Sequence, residues 1–337
     1  MTRRLRFYLI WTLCVCCTAF FIFGCGKSQQ TSYGYPVAIS AHKLVPEATG
    51  VIRDGLADDS PQVRAKAIEV VAGTKRIKLM PKVRRLLKDD FVPVRFLGAL
   101  AVGDLEYRLA SSEIGLLLGD EDENVKISAA YAMAKLGSPD SLEVVRKAIV
   151  SNDQKVRANA ALLLGKSGDR SALKFLYWAL RHEDSDDKVR FNAAEAIARL
   201  GDERIFPKLL AMLQSGYNDD RVVSIRAMGA LGTARAKDSI ITKLDDDVLE
   251  VRLAAAEQLG MLGDSMGEAV VLDVFGENQL GGLNKKGIER VKVLTALAIG
   301  QICTEPVRRF LPGLLQDESK FVRLAAAKAV FECTMRD

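Results

Sequence analysis

One motif recurs along this chain nine times at nearly constant spacing, and that period constrains the fold before any other property does. Its fullest copy, residues 120–137, is an acidic turn, a Val125-Lys126 step, an alanine-rich apolar run and a closing Leu136-Gly137. Taking the valine place as a mark, the copies stand at Val63, Val94, Val125, Val156, Val189, Asp220, Val251, Val291 and Val322. Successive marks lie 31, 31, 31, 33, 31, 31, 40 and 31 residues apart. A unit this short buries its apolar face only by stacking on its neighbours, so the chain is a stacked repeat protein. Such a stack has no single core to outgrow, and 337 residues need not divide into several globular domains.

The period within each copy is helical. In the fourth, Val156, Ala160, Ala161, Leu163 and Leu164 form the wide stripe of a helix packed on several sides. Each unit therefore reads as an outer helix, an acidic turn and an inner helix: 47–57 and 61–72 in the first, 77–88 and 92–102 in the second, 141–150 and 153–164 in the fourth. Pro61 suits a first helical turn, where its missing N–H costs nothing. Alanines four and five places after the mark let successive inner helices approach closely. An aromatic content of 7% also fits packed helices better than a β-sandwich.

Two further positions repeat. Five places before the mark stand Asp58, Asp89, Asp120, Asp184, Asp246 and Asp317, with Ser151 and Ser215 in two copies. One place after it stand Arg64, Arg95, Lys126, Arg157, Arg190, Arg221, Arg252, Lys292 and Arg323. The carboxylate can cap the inner helix through backbone N–H groups. The guanidinium can pair with that carboxylate or with the one in the next unit. This ladder resembles that of HEAT repeats, and Pro81 and Pro207 sit where HEAT outer helices often carry a kinking proline. With its short period, the chain is similar to the HEAT-like repeats of phycobilisome lyases over about residues 44–335. The resemblance implies an all-α fold, an α-solenoid (superhelix) of about nine HEAT-like helix pairs. For function it leaves lyases, scaffolds and adaptors open, because the family includes all three.

The N-terminus is organised differently. Arg3, Arg4 and Arg6 precede an almost wholly apolar run, 7–23, the layout of a secretory signal. The ending Ile22-Phe23-Gly24-Cys25 resembles a bacterial lipobox, although small residues are usual where Phe23 stands. The resemblance implies cleavage before Cys25 and diacylglycerol on its sulfur. Gly26, rather than Asp, after that cysteine implies the outer membrane. An uncleaved anchor is the alternative, since the run is near the lower length limit for crossing a bilayer, and ordinary secretion is another. All three place the repeats outside the cytoplasm. The expected organisation is a signal peptide over 1–24, a Ser-, Gln-, Tyr- and Gly-rich tether over 25–43, and the solenoid over 44–337. The long interval before Val291 places an insert at 276–287, with Lys286 where the ladder acid should stand. It reads as a surface loop, or as a hinge or partner-touching loop.

Chemistry is sparse. The net charge is +5; without the three N-terminal arginines, 45 basic residues face the same 43 acids, or +2. That balance disfavours nucleic-acid binding, which needs many phosphate-neutralising cations. The two histidines, His42 and His182, have no ligand partners at metal spacing. No phosphate loop, G-x-S-x-G or H-E-x-x-H is present. The acidic clusters Asp219-Asp220 and Asp245-Asp246-Asp247 fall at repeat turns, where they read as turn caps, with a cation site as the alternative. No catalytic residue, cofactor or metal is expected, apart from the lipid on Cys25. Cys303 and Cys333 fall at equivalent helix ends in adjacent repeats. At the usual interhelix distance they read as two buried thiols.

What remains is the surface of the inner helices, which in solenoids lines a concave binding face. Three, six and ten places after the mark should point outward from these helices. Leu97, Leu100, Tyr131 and Leu162 then form an apolar patch, flanked by Asn159, Asn192 and Glu195, a candidate for binding a protein partner. Tight curvature burying these residues between repeats is the competing expectation. In the tenth-place row, Lys135, Lys166 and Arg199 either attract an acidic partner or complement helix C-termini. The function expected is a membrane-tethered, non-catalytic scaffold with a protein partner. A bilin lyase or bilin-binding protein is the alternative the resemblance implies, and a nucleic-acid-binding HEAT-like protein is a second.

Overall fold

The computed structural model describes residues 40–276 and 280–336. The signal segment, Cys25 and the tether as far as residue 39 lie outside them. The inner helices are α1 (Pro61–Gly73), α2 (Val92–Asp104), α3 (Glu123–Lys135), α4 (Gln154–Ser167), α5 (Asp187–Arg199), α6 (Asn218–Leu231), α7 (Leu249–Met261), α8 (Lys285–Ile302) and α9 (Lys320–Thr334). Each αn closes the repeat of the same number, and the helix class expected from the period holds throughout the described residues. The first outer helix, Ala41–Gly55, begins inside the stretch read as tether, so His42 lies in its first turn.

In repeats 2–6 the outer arm opens with a short 3-10 turn, such as Ile77–Leu79, before an α-helix, such as Met80–Leu86. Pro81 and Pro207 lie in the first turn of their helices, Met80–Leu86 and Phe206–Leu213. They start the α-helix after the 3-10 turn rather than kink its middle, because a first-turn residue needs no N–H partner.

The ladder runs forward. Arg64 donates to both carboxylate oxygens of Asp89 at 2.8 and 2.9 Å, and Arg95 to both of Asp120 at 2.9 Å. The same arginines hold carbonyls of their own turn, Asp58 and Asp59 or Asp89 and Asp90. Arg252 and Arg323 also hold their own turns, at Asp246 and Asp247 and at Asp317 and Glu318. The aspartates accept the N–H two residues on, for example Ser60, Phe91 and Asp122. They therefore brace the turn, while separate residues such as Asp122, Asp153 and Asp186 cap the helices.

Three rungs, those from repeats 3, 4 and 5, depart from the expected pattern. Asp184 is exposed and lies beside His182, and the Arg157 guanidinium meets Ser185 instead, because the 33-residue interval shifts the acid out of register. Arg190 turns back to the carbonyls of His182 and Glu183. Lys126 faces a repeat whose acid is Ser151 and makes no ion pair among the described residues. Arg221 to Asp246 at 2.9 Å and Lys292 to Asp317 at 2.7 Å resume the series.

Small residues set how closely the inner helices approach. Nine places after the mark stand Ala72, Gly103, Ala134, Gly165, Ala198, Gly229, Gly260, Gly300 and Phe331. A Cβ on Gly165 would lie 2.7 Å from the Cα of Ala196 in the next inner helix, and one on Gly300 2.7 Å from that of Ala329. Only glycine admits these approaches without moving backbone.

Phe331 breaks that row because the stack closes on itself. α9 packs along Ala41–Gly55 and α1 as well as along α8, so every inner helix has a neighbour on both sides. One apolar cluster runs from Leu44, Ala48 and Ile52 at one end of the solenoid to Leu324, Val330 and Phe331 at the other. Across this seam Lys320 pairs with Asp58 at 2.6 Å, supplying the rung that Asp58 would otherwise lack, and holds its carboxyl below the usual range. The Arg76 guanidinium lies 4.4 Å over the Phe331 ring.

The cysteine expectation is corrected. Cys303 and Cys333 form a disulfide with Cα atoms 5.2 Å apart. Gly300 lets α9 come closer than the usual interhelix distance, and Cys303 takes the left-handed turn that ends α8. The bridge closes a loop of 30 residues, so replacing both cysteines with alanine should cost about 2–4 kcal/mol. Denaturant unfolding with and without reductant checks this: the gap between the two proteins should vanish in reductant.

The long interval before repeat 8 is partly helix. α8 starts at Lys285, capped by the Asn284 side chain on Gly287 N–H at 2.9 Å, so it gains about a turn over its siblings. Arg290, just after that turn, pairs with Glu250 of α7 at 2.9 Å, replacing the rung lost where Lys286 stands for an acid.

Candidate binding site on the inner helices

The C-terminal halves of α1 to α4 line a half-open cavity of about 510 Å³. Its apolar wall is Ile68 and Ala72 of α1, Leu97, Leu100 and Ala101 of α2, Leu105 just beyond, Tyr131 of α3 and Leu162 of α4. Glu69, Lys75, Asp104, Lys135 and Lys166 supply charge around it. Six residues singled out from the sequence thus meet in one place: Leu97, Leu100, Tyr131, Lys135, Leu162 and Lys166. They do so because the third-, sixth- and tenth-place rows of parallel, neighbouring inner helices stay in register.

They do not contribute as an exposed patch. Tyr131 is 1% exposed and Leu100 8%, while Leu97 and Leu162 are half-buried. Gly103 explains the difference, since the Tyr131 ring fills the space where any Cβ on that glycine would sit, 2.8 Å away. The Tyr131 hydroxyl donates to Asp104 at 2.8 Å, and Asp104 also takes Lys166 at 3.0 Å. Burial first, and the Asp104 charge second, push the Tyr131 hydroxyl's pKa up, so it remains a donor at any physiological pH. Tyr131, Asp104 and Lys166 therefore form a fixed polar edge to an apolar hollow.

The polar flank expected beside the patch is also corrected. Asn159 donates to the Asn124 side chain at 2.8 Å and Asn192 to the Ala158 carbonyl at 2.9 Å, each on the preceding inner helix. Each amide thus ties its helix to the repeat before it. Glu195 and Arg199 pair with each other one turn apart at 2.6 Å. With Leu162 and Asn192 they border a second, much smaller depression. Lys135 makes no ion pair among the described residues, nor does Lys75.

Sequence reasoning missed Ile68, Lys75, Asp104 and Leu105. Asp104 occupies the tenth place of repeat 2, so following the Lys135–Lys166 row one repeat back would have found it. Lys75 carries no such signal: it follows the end of α1 with a left-handed φ of 53°.

The carboxylate clusters do not cap the helices as expected: Asp219 and Asp220 lie in the first turn of α6, and Asp245 to Asp247 in the turn before α7. Asp220 accepts from the Ser215 hydroxyl at 2.6 Å, and Asp246 and Asp247 both receive Arg221. Among the described residues no three His, Cys, Asp or Glu side chains group as a metal site.

A family profile described as HEAT repeats matches residues 146–223. Similar solved structures include the CpcE–CpcF complex of phycocyanin lyase from a Nostoc species, at 19% identity over 72% of this chain and 92% of that one, TM-score 0.42. Human deoxyhypusine hydroxylase is similar at 17% identity over 79% of this chain and 99% of that one, TM-score 0.38. No curated protein sequence matches the chain.

Proposed function

We propose that this chain is a non-catalytic scaffold that captures another protein on the inner face of its solenoid. Lipid on Cys25 holds it outside the cytoplasm, at the periplasmic face of a bacterial outer membrane. The observation that carries the reading is the cavity of about 510 Å³ assembled from four consecutive repeats. Its size falls in the range of specific pockets, and its wall is apolar with few polar groups at the edge. Leu97, Lys135 and Leu162 in its lining stand at places where the repeat leaves residue type free. The lipobox at Ile22–Cys25 supports the tether. The Cys303–Cys333 bridge suits an oxidising compartment such as the periplasm.

The full chain, expressed in a Gram-negative envelope and cross-linked in place, should co-purify with a discrete partner. Replacing Leu97 and Leu162 with aspartate should cut that capture at least about tenfold, the effect of losing an apolar anchor at a hot spot. Both side chains are half-buried, so helical circular dichroism and the unfolding midpoint serve as controls for folding. Undiminished capture by the folded double variant would exclude the cavity as the site.

A further inference from the structure

The charges around the cavity are unequally compensated. Asp104 is spent twice, on the Tyr131 hydroxyl at 2.8 Å and on Lys166 at 3.0 Å. Glu69 is paired with Lys66 on its own helix at 2.8 Å. Both acids of the lining are therefore satisfied from within. Lys75 and Lys135 are not: neither makes an ion pair or a side-chain hydrogen bond among the described residues, and both line the same hollow. The C-terminal carbonyls of α1 and α3 offset part of their field. A helix end carries only about half a charge, however, against a whole charge on each ammonium. The hollow thus offers an apolar floor of Leu97, Leu100 and Leu162 under a rim with unspent positive charge.

We infer that the partner segment seated here is a peptide presenting one apolar side chain with an aspartate or glutamate within about two residues of it. This rests on the reading of the cavity as a protein-binding site and adds the chemistry of what binds. The apolar side chain fills the hollow against Leu97 and Leu162. The neighbouring carboxylate meets Lys135 or Lys75, charges that the fold itself leaves without a partner. A basic segment is disfavoured, because both acids of the lining, Glu69 and Asp104, are already engaged.

The test uses a displayed library of random linear peptides panned on the full chain. Wild type should enrich Leu, Ile, Phe or Met flanked by Asp or Glu. A synthetic peptide of the enriched type should weaken about tenfold against the K75E/K135E variant and lose affinity as salt rises. The same variant, panned afresh, should prefer basic neighbours. Neither lysine has a side-chain partner among the described residues, so the variant should stay folded, with only a small drop in unfolding midpoint from glutamate at two helix C-termini; a single K135E change provides a second reading. Enrichment of apolar peptides without acidic bias, with K75E/K135E unchanged, would overturn the inference while leaving an inner-face binding site in place. Enrichment that survives Leu162→Asp, or no enrichment by wild type, would also overturn it. Capture of a whole partner in the envelope judges the underlying reading separately.

Discussion

Replacing Phe331 with alanine should lower the stability of the whole solenoid by about 3–5 kcal/mol, the range for truncating a buried phenylalanine. The side chain is 1% exposed and lies in the apolar cluster that joins the two ends of the solenoid. Position alone would suggest a small effect. In an open solenoid the last repeat touches one neighbour, and damage there frays the end without reaching the rest. Here α9 packs on α8 and also on Ala41–Gly55 and α1. A cavity at Phe331 also frees the Arg76 guanidinium that stacks on the ring. Hydrogen exchange should therefore speed up in Ala41–Gly55, nearly the whole length of the chain away in sequence. Loss of protection confined to α9 would show that the ends do not support each other.

Replacing Arg95 with alanine should cost a similar amount, about 3–5 kcal/mol, because it strands a buried carboxylate. The Asp120 side chain is 8% exposed and receives both Arg95 hydrogen bonds. Burial pushes its carboxyl up, but the Arg95 bonds, the Asp122 N–H and the Arg95 charge outweigh this and hold it below the ordinary value. The sign of the pH dependence follows. A depressed carboxyl adds stability above its unfolded pKa of about 3.9, and that contribution is lost as pH falls through the lower folded value. Without Arg95, burial is opposed only by the Asp122 N–H and the Lys126 charge, so the Asp120 carboxyl protonates more readily. The stability gap between wild type and Arg95→Ala should be full near pH 7 and narrow below about pH 4. Urea unfolding at several pH values measures it; a gap that widens toward acid would contradict the assignment.

The repeat architecture was legible in the sequence because its cause is local. The 31-residue period, the helical stripe and the acidic turn each depend on residues close in the chain. The ladder positions were legible for the same reason. Its direction was not, since one Asp and one Arg per repeat allow pairing within a repeat or between repeats, and only the stacking geometry chooses. Asp184 shows the limit: two extra residues in its turn move it out of the rung, and Ser185 takes the place.

The candidate site was half legible. Helical periodicity tells which face of α3 carries Tyr131, but not how near α2 comes to it. The signal was there at Gly103, one repeat earlier, where the absence of a side chain makes room for the Tyr131 ring. Asn159 and Asn192 share a face with the site and yet bond backward to the preceding helix, which no single-helix pattern reveals. Closure leaves one trace, the bulky Phe331 in a row of glycine and alanine. The disulfide depended on the close approach at Gly300, which an average interhelix distance conceals.

The most direct test of the functional account is photo-cross-linking in the native envelope from two positions. One benzophenone side chain replaces Leu162, at the inner cavity; the other replaces Leu116, which is 73% exposed on the third outer helix. The account predicts that the probe at 162 captures one discrete protein and that the probe at 116 does not. Capture of that protein from 116, with none from 162, would contradict it.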